Sequence, residues 1–294
     1  MPLSEHVIKL AYIYRPEQVI RRVVRRQASE GDVRVVLPWG LPTIVSGGDV
    51  LGRGIIRRNV HELAITEAMW RLTDRNDIAL DVGANSGYFT SLLAYRAAEV
   101  YAFEPHPALA ARLGSVIAAW PAEYRDKVRL ETAAVSDRSG TAQLSLPQGF
   151  GNNEGIASLA PTEAAQATLD VRTLTLDEVV AGRRVGVMKI DIEGHELVAL
   201  RGAAELLCSG ALRDVFFEEH EPLPTPVSAL LSDHGYTIFG LRERLRGVQL
   251  TDPSVPQPRW DAATYLATRD PDRARARVRL NGWNSLRPRG LIAD

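Results

Sequence analysis

Asp81, Gly83 and Gly87 fall within LDVGANSGYFTSLLA, Leu80 to Ala94, where an apolar run meets an acid, a glycine-spaced turn and a second apolar run. Glycine turns between a strand and a helix bring backbone amides up to a ligand, most often a phosphate. Two features argue against a phosphate here. A dinucleotide turn of the G-x-G-x-x-G kind needs a glycine where this chain has Asn85. Asp81 stands just before the first glycine, where its carboxylate would repel a pyrophosphate and welcome a cation. A second acid, Glu104, closes the next apolar run, VYAFE, and an acid in that place accepts ribose hydroxyls. A ligand with a ribose, a positive charge and no phosphate satisfies both acids. S-adenosylmethionine is such a ligand. Helix capping or plain solvation is the structural alternative for either acid.

A later run, VGVMKIDI, adds a different kind of chemistry. Strand alternation puts Lys189 and Asp191 on one face, with Asp191 at the carboxyl end, where ligands of open α/β sheets lie. Glu193, Gly194, His195 and Glu196 follow, opening a helix whose first turn would hold His195. The next strand ends in EEHE, Glu218 to Glu221. Two mechanisms could use these groups. Asp191, Glu193 or His195 could take a proton from an acceptor hydroxyl. Alternatively, Asp191, Glu193 and Glu219 could hold a magnesium ion that lowers the hydroxyl's pKa. Each residue also has a bland use: Glu193 as a helix cap, Lys189 as the partner of Asp191, His195 as a surface histidine.

The elements that must position these residues alternate. Apolar runs IALDV, VYAFE, VRLETAAV, VGVMKIDI and VFFEE are separated by helical patterns over Tyr88–Ala97, Pro107–Ala119 and His195–Leu207. Runs that are apolar throughout belong to parallel strands covered on both faces, so the fold is a doubly wound α/β sheet. Before it, Pro16–Gln27 reads as an amphipathic helix, 33–59 as hairpins around PWG and SGGD, and Glu62–Leu72 as a helix. Leu146–Pro161 is rich in glycine and asparagine and reads as a loop able to shape a pocket. After the proline-rich 252–258, Asp270-Pro271 caps an arginine-rich helix with a solvated face, and Asn281-Gly282 turns near Trp283.

Four segments, ALDVGANSGYFTSLLA, VYAFEPHP, AAVSDRSGTAQL and LTLDEVV…VMKIDIEGHELVALRGA, together resemble the FkbM family of S-adenosylmethionine-dependent methyltransferases. The resemblance spans about Ile78 to Phe217, and KIDIEGHE is its most specific part. It implies a Rossmann-like class I methyltransferase sheet. The segments outside it match nothing in the family, and the chain divides into an N-terminal helix and hairpin extension (1–60), a methyltransferase domain (61–250) and a C-terminal extension (251–294). The resemblance also implies residue roles. Gly83, Ala84, Asn85 and Ser86 would lie along the methionine part of the cofactor, with Asp81 beside it. Glu104 would take the ribose, Pro105 and His106 would border the adenine, and Ala134 and Val135 would form its other wall. Asp191 would stand beside the reactive methyl. The acceptor implied is a hydroxyl of a small molecule, a sugar or specialised metabolite.

Composition narrows the partners. The 294 residues are 45% hydrophobic and 24% charged with a formal net charge of −1, so no overall field draws in nucleic acid or a membrane. No segment interleaves basic and aromatic residues as nucleic-acid readers do. The single cysteine, Cys208, suits a reducing compartment and reads as a buried thiol. With no long apolar run near residue 1, a cytoplasmic protein is expected, and a homo-oligomer stays open. Two competing functions share the fold: a non-catalytic cofactor-binding module and, against Asp81 and Asn85, a nicotinamide dehydrogenase.

Overall fold

The computed structural model describes residues 31–150, 157–160, 165–219, 221–244, 246–255 and 263–286. The helix expected over 16–27 lies outside them. Strands β1 (Asp32–Val36) and β2 (Pro42–Ser46) pair as an antiparallel hairpin across the PWG turn. The second hairpin expected from SGGD is instead a helix, α1 (Val50–Arg58). Asp49 caps it, its Oδ2 accepting the Gly52 amide at 2.8 Å. Helix α2 (Leu63–Leu72) follows.

The main sheet then begins with β3 (Ile78–Val82), α3 (Tyr88–Arg96), β4 (Glu99–Phe103), α4 (Pro107–Ala118), α5 (Ala122–Arg125) and β5 (Val128–Glu131). The apolar run expected as one strand up to Val135 divides. β5 stays in the main sheet, while β6 (Ala134–Val135) leaves it for a small sheet with β7 (Gly140–Pro147) and β8 (Ala165–Leu174). After α6 (Leu176–Val180) and β9 (Val185–Ile190), the single helix expected from His195 becomes α7 (Glu196–Arg201) and α8 (Ala204–Cys208). Gly202 and Ala203 lie at the break, and a Cβ on Gly202 would sit 2.0 Å from the Ser136 carbonyl oxygen, so only glycine fits this close approach. Asp177 caps the second piece, accepting the Glu205 and Leu206 amides at 2.9 Å each.

The chain ends with β10 (Leu212–Glu219), α9 (Pro226–Asp233), β11 (Thr237–Arg244), β12 (Gly247–Thr251), β13 (Ala263–Thr268) and α10 (Pro271–Val278). The eight-stranded order is β12-β11-β13-β10-β9-β3-β4-β5. Neighbours from β5 to β10 are parallel, and β13 enters antiparallel between β10 and β11. This is the doubly wound α/β sheet expected from the alternating pattern, with β13 inserted antiparallel. Its order reverses between β3 and β9, which marks the place where ligands lie in such sheets.

Alternation along the strands divides the core between two faces. Ala79, Val100, Ala102 and Val187 pack with the hairpin, α2, α3 and α4, whereas Leu80, Val82, Phe103, Met188 and Ile190 pack with α6 to α9. Residues after 251 add to the first face as well as supplying β13. Glu67 of α2 is fully buried and accepts from Arg71 Nε at 2.7 Å, the Asn284 and Ser285 amides at 2.9 and 2.8 Å, and Ser285 Oγ at 2.6 Å. The arginines of α10 are likewise more than a solvated face. Arg273 bonds Asp74 and Asp214, and Arg277 bonds Asp74. Cys208, expected to be buried, is exposed near the end of α8.

Glu67→Gln keeps the shape and removes the charge that gathers these donors. It should lower stability by roughly 1–3 kcal/mol in denaturant unfolding. An unchanged midpoint would mean that this carboxylate does not hold the C-terminal turn.

Candidate active site

At the carboxyl ends of β3, β4 and β9 opens a cavity of about 1230 Å³, its open mouth included. The glycine turn forms its floor. Gly83 has φ +87°, and a Cβ there would meet the Asp191 carbonyl oxygen at 2.0 Å. Only glycine lets the two chain segments approach this closely. Asn85 holds φ 46° and Gly87 φ 77°, so left-handed residues alternate through the turn before α3 starts. Thr43 of the hairpin anchors it from outside, its Oγ1 donating to the Ser86 carbonyl at 2.8 Å. Ser86 Oγ is buried against the cavity with no hydrogen-bond partner among the described residues. A buried hydroxyl in that state is poised for a ligand or water.

Glu104, one of the lining residues, is held by two amides. Its Oε2 accepts from Asn85 N and its Oε1 from His106 N, each at 2.9 Å. Burial dominates over these two bonds and pushes its pKa up to about 7. Each oxygen keeps a further lone pair for a ligand hydroxyl. Pro105, Phe103, Ala134 and Val135 give this end apolar walls.

Asp191 and Lys189 share a strand face as alternation requires, and Lys189 Nζ donates to Asp191 Oδ2 at 3.0 Å. The lysine is 5% exposed, and its ammonium lies 5.2 Å from the Phe89 ring centre. Burial alone would lower its pKa, but Asp191, Asp81 and Glu62 outweigh that and hold it above the usual lysine range. Asp81 is its register neighbour on β3. It is fully buried behind the cavity wall rather than lining it, with Thr90 Oγ1 donating to its Oδ2 at 2.5 Å. Burial raises the pKa of Asp81.

Beyond β9, Glu193 lines the cavity with φ 53°, and its carbonyl accepts Ser158 Oγ at 2.6 Å. The capping expected of Glu193 falls to Glu196, whose Oε1 accepts the Ile192 and Gly194 amides at 2.9 and 3.3 Å. His195 is the cap residue of α7 rather than a first-turn residue, and its Nε2 lies 3.2 Å from Ser136 Oγ. Burial lowers its pKa.

The structure therefore brings Gly83, Ala84, Asn85, Ser86, Glu104, Pro105, Ala134, Val135, Asp191, Glu193 and His195 around one cavity. His106 does not line it, although its amide orients Glu104 and its ring lies 5.0 Å from that of Phe150. Glu219 does not line it either; it accepts Thr225 Oγ1 at 2.5 Å. Asp191, Glu193 and Glu219 thus form no metal cage, and among the described residues no three His, Cys, Asp or Glu side chains do. His220 lies outside the described residues.

Several lining residues carry no signal in the sequence. His61 and Glu62 precede α2, and Glu62 is a left-handed N-cap, φ 40°, that makes no capping bond with its side chain. His61 Nε2 lies 3.4 Å from Glu62 Oε1. Burial, aided by Arg58 and Lys189, lowers the His61 pKa to about 4, so the ring is neutral at pH 7. Tyr88 and Phe89 pack edge to face at 5.0 Å, and Tyr88 hydroxyl lies 3.0 Å from Thr66 Oγ1. The strap Ala157–Leu159 covers another side, bridged to β7 through Ser145 and Ser158. Only the position of Tyr88 and Phe89, directly after Gly87, could have drawn notice.

The family model described as "Methyltransferase FkbM domain" matches residues 81–238. The chain belongs to this family. Glycine turn, Glu104, the β9 pair and Glu218 all lie inside the FkbM region, whereas Leu51, His61 and Glu62 line the same cavity from outside it. Among curated proteins, the hexuronic acid methyltransferase AglP of Haloferax volcanii is 28% identical over 173 residues, 54% of this chain. The chain spans 63% of that relative's length. A solved FkbM methyltransferase from Methylobacillus flagellatus is 17% identical at a TM-score of 0.43, covering 66% of this chain and 44% of its own. An rRNA methylase from Streptococcus thermophilus is 12% identical at 0.39, covering 69% and 91%. Among the described residues no helix is long and apolar enough to cross a membrane.

Proposed function

We propose that the protein is an S-adenosylmethionine-dependent O-methyltransferase whose acceptor is a hydroxyl of a sugar-type small molecule. The observation that carries this reading is the Gly83 cradle beside Glu104. A backbone with no room for a Cβ and a ribose-competent acid sit together at the sheet's reversal point. Membership of the FkbM family supports it, and the hexuronic acid methyltransferase supports the sugar-type acceptor. The cofactor fits the donor set. Ser86 Oγ and the Gly83–Ser86 backbone would receive the methionine part, Glu104 the ribose, and Phe103, Pro105, Ala134 and Val135 the adenine. Surrounding acids suit a sulfonium and disfavour a pyrophosphate, which sets aside a nicotinamide cofactor.

When bound, the cofactor supplies a methyl group on a positively charged sulfur. The chain's own work is alignment and proton management. Lys189 donates to Asp191 Oδ2 at 3.0 Å and would hold the carboxylate in one orientation toward an acceptor. Asp191 would accept the acceptor's hydroxyl hydrogen and hold the proton as the oxygen becomes nucleophilic. Phe89, Tyr88 and the Ala157–Leu159 strap would exclude water around it. A calorimetric titration with S-adenosylhomocysteine, followed by an acceptor screen that detects its formation with and without chelator, tests the reading. Binding of NAD without S-adenosylhomocysteine binding would overturn it.

Glu104 gives a sharper test. Glu104→Ala should weaken S-adenosylhomocysteine binding by about 1.5–3 kcal/mol through loss of charge-assisted bonds. The wild-type carboxyl titrates at about 7, and the ionised form accepts the ribose hydroxyls. Binding should therefore tighten as pH rises through about 7 and weaken by up to roughly tenfold per unit below it. A flat pH profile in wild type would detach Glu104 from the ribose.

A further inference from the structure

We propose that Thr43, on the hairpin outside the FkbM region, is a positioning residue that holds Ser86 so that its hydroxyl receives the amino-acid end of the cofactor. This rests on the cofactor-binding reading above and extends the site to a segment that the family match does not reach.

Ser86 stands between two left-handed residues, Asn85 at φ 46° and Gly87 at φ 77°. The Gly87 amide donates to the Ala84 carbonyl at 2.8 Å and closes the turn around it. The Ser86 carbonyl accepts Thr43 Oγ1 at 2.8 Å, a bond between residues 43 positions apart. Its hydroxyl is different. Ser86 Oγ is buried, belongs to the cavity wall and has no hydrogen-bond partner among the described residues. A buried hydroxyl left unmatched costs free energy, and a bound group that matches it recovers that cost. The amino-acid end of the cofactor carries a carboxylate that accepts from a hydroxyl and an ammonium that donates to one. With the turn closed and its carbonyl held, the Ser86 side chain is placed before the ligand arrives.

Thr43 is itself fixed. It is fully buried, shares a face of β2 with the buried Val45, and pairs with Val35 of β1. The preceding residue is tied as well, since Trp120 Nε1 donates to the Pro42 carbonyl at 2.8 Å. Valine is also β-branched and suits a buried strand position as well as threonine does. The hydroxyl of Thr43 therefore needs a use of its own, and the Ser86 carbonyl is that use. Thr43 does not line the cavity, so its influence on a ligand passes through Ser86. The hairpin also reaches α3 farther along, where Trp39 Nε1 donates to Ser91 Oγ at 3.1 Å. That second bond supplies a control on the same two elements.

Calorimetry with two ligands separates positioning from stability. S-adenosylhomocysteine has the amino-acid end, whereas methylthioadenosine keeps the adenine, ribose and sulfur and lacks it. Thr43→Val should weaken S-adenosylhomocysteine roughly fivefold or more and leave methylthioadenosine within about twofold. Thr43→Ser keeps the donor and should bring S-adenosylhomocysteine back to within about twofold of wild type. Trp39→Phe should lower the unfolding midpoint without changing the ratio of the two affinities. If the valine variant does not fold, Thr43→Ala reads the same loss without pressing a methyl on the carbonyl. In a Ser86→Ala background, Thr43→Val should cost less than about a further twofold, because the two changes act through one hydroxyl. This cycle uses S-adenosylhomocysteine alone, so it decides the matter even where methylthioadenosine binds weakly. Unchanged S-adenosylhomocysteine affinity in Thr43→Val, equal weakening of both ligands, or a full additional loss in the Ser86→Ala background would overturn the proposal. Failure of wild type to bind either ligand would instead remove the cofactor reading beneath it.

Discussion

Gly83→Val should abolish detectable S-adenosylhomocysteine binding in a protein that still folds. The residue has φ +87°, a region that β-branched side chains resist, and its Cβ would lie 2.0 Å from the Asp191 carbonyl oxygen and 3.2 Å from Ile192 Cγ2. The first contact is backbone to backbone, so no rotamer relieves it. Either the turn lifts off the end of β9 or β9 moves, and both displace the surface that would receive the methionine part. Gly83→Ala already carries the clash and should lose most of the affinity. Gly182→Ala is the matched control. It imposes a similar left-handed strain, φ +73°, with no atom within 4 Å of the new Cβ. It should lower stability by about 1 kcal/mol and leave binding alone. Calorimetry with far-ultraviolet circular dichroism distinguishes the cases. Normal binding by folded Gly83→Val would place the cofactor elsewhere.

The same close approach explains what the sequence could and could not convey. The runs IALDV, VYAFE, VGVMKIDI and VFFEE were legible because central parallel strands are covered on both faces and stay apolar throughout. Asp191 and Lys189 were legible for the same reason, since strand alternation fixes a shared face. Features created by tertiary contact were not. The helix after His195 keeps its apolar spacing across Gly202, so the break there, where the Ser136 backbone lies against the glycine, carries no local signal. SGGD resembles a turn until Asp49 is seen to cap α1. Strand β13 follows a proline-rich segment and owes its place to antiparallel pairing with β10 and β11, which no local period announces. His61 and Glu62 belong to no apolar repeat and reach the cavity through an unusual backbone angle. Asp81 was legible as an acid next to the turn, but its burial behind Lys189 was not. Its influence on a bound cation would pass through that lysine rather than by contact.

Asp191→Asn should bind S-adenosylhomocysteine within about threefold of wild type yet turn over at least about a hundredfold more slowly. Asparagine keeps the shape, and its carbonyl oxygen can still accept from Lys189, whose ammonium stays surrounded by Asp81 and Glu62. What disappears is a carboxylate able to hold the acceptor's proton. The loss should fall on kcat, with the acceptor KM changed less, because ground-state contacts survive the substitution. If the Lys189–Asp191 pair were only a structural ion pair, the outcome would be the reverse. Stability would drop, and whatever remained folded would turn over normally. Lys189→Met separates orientation from proton transfer. It leaves the Asp191 carboxylate but removes the donor that fixes it, so kcat should fall less than in Asp191→Asn. Chelator should leave wild-type turnover intact, since Asp191, Glu193 and Glu219 do not converge. Magnesium-dependent activity lost in both Asp191→Asn and Glu193→Gln would replace the side-chain base with a metal-assisted one. Wild-type turnover in folded Asp191→Asn would eliminate Asp191 from the chemistry altogether and turn attention to the other proton acceptors among the described lining residues, His61, Glu62, Glu193, His195 and Glu218.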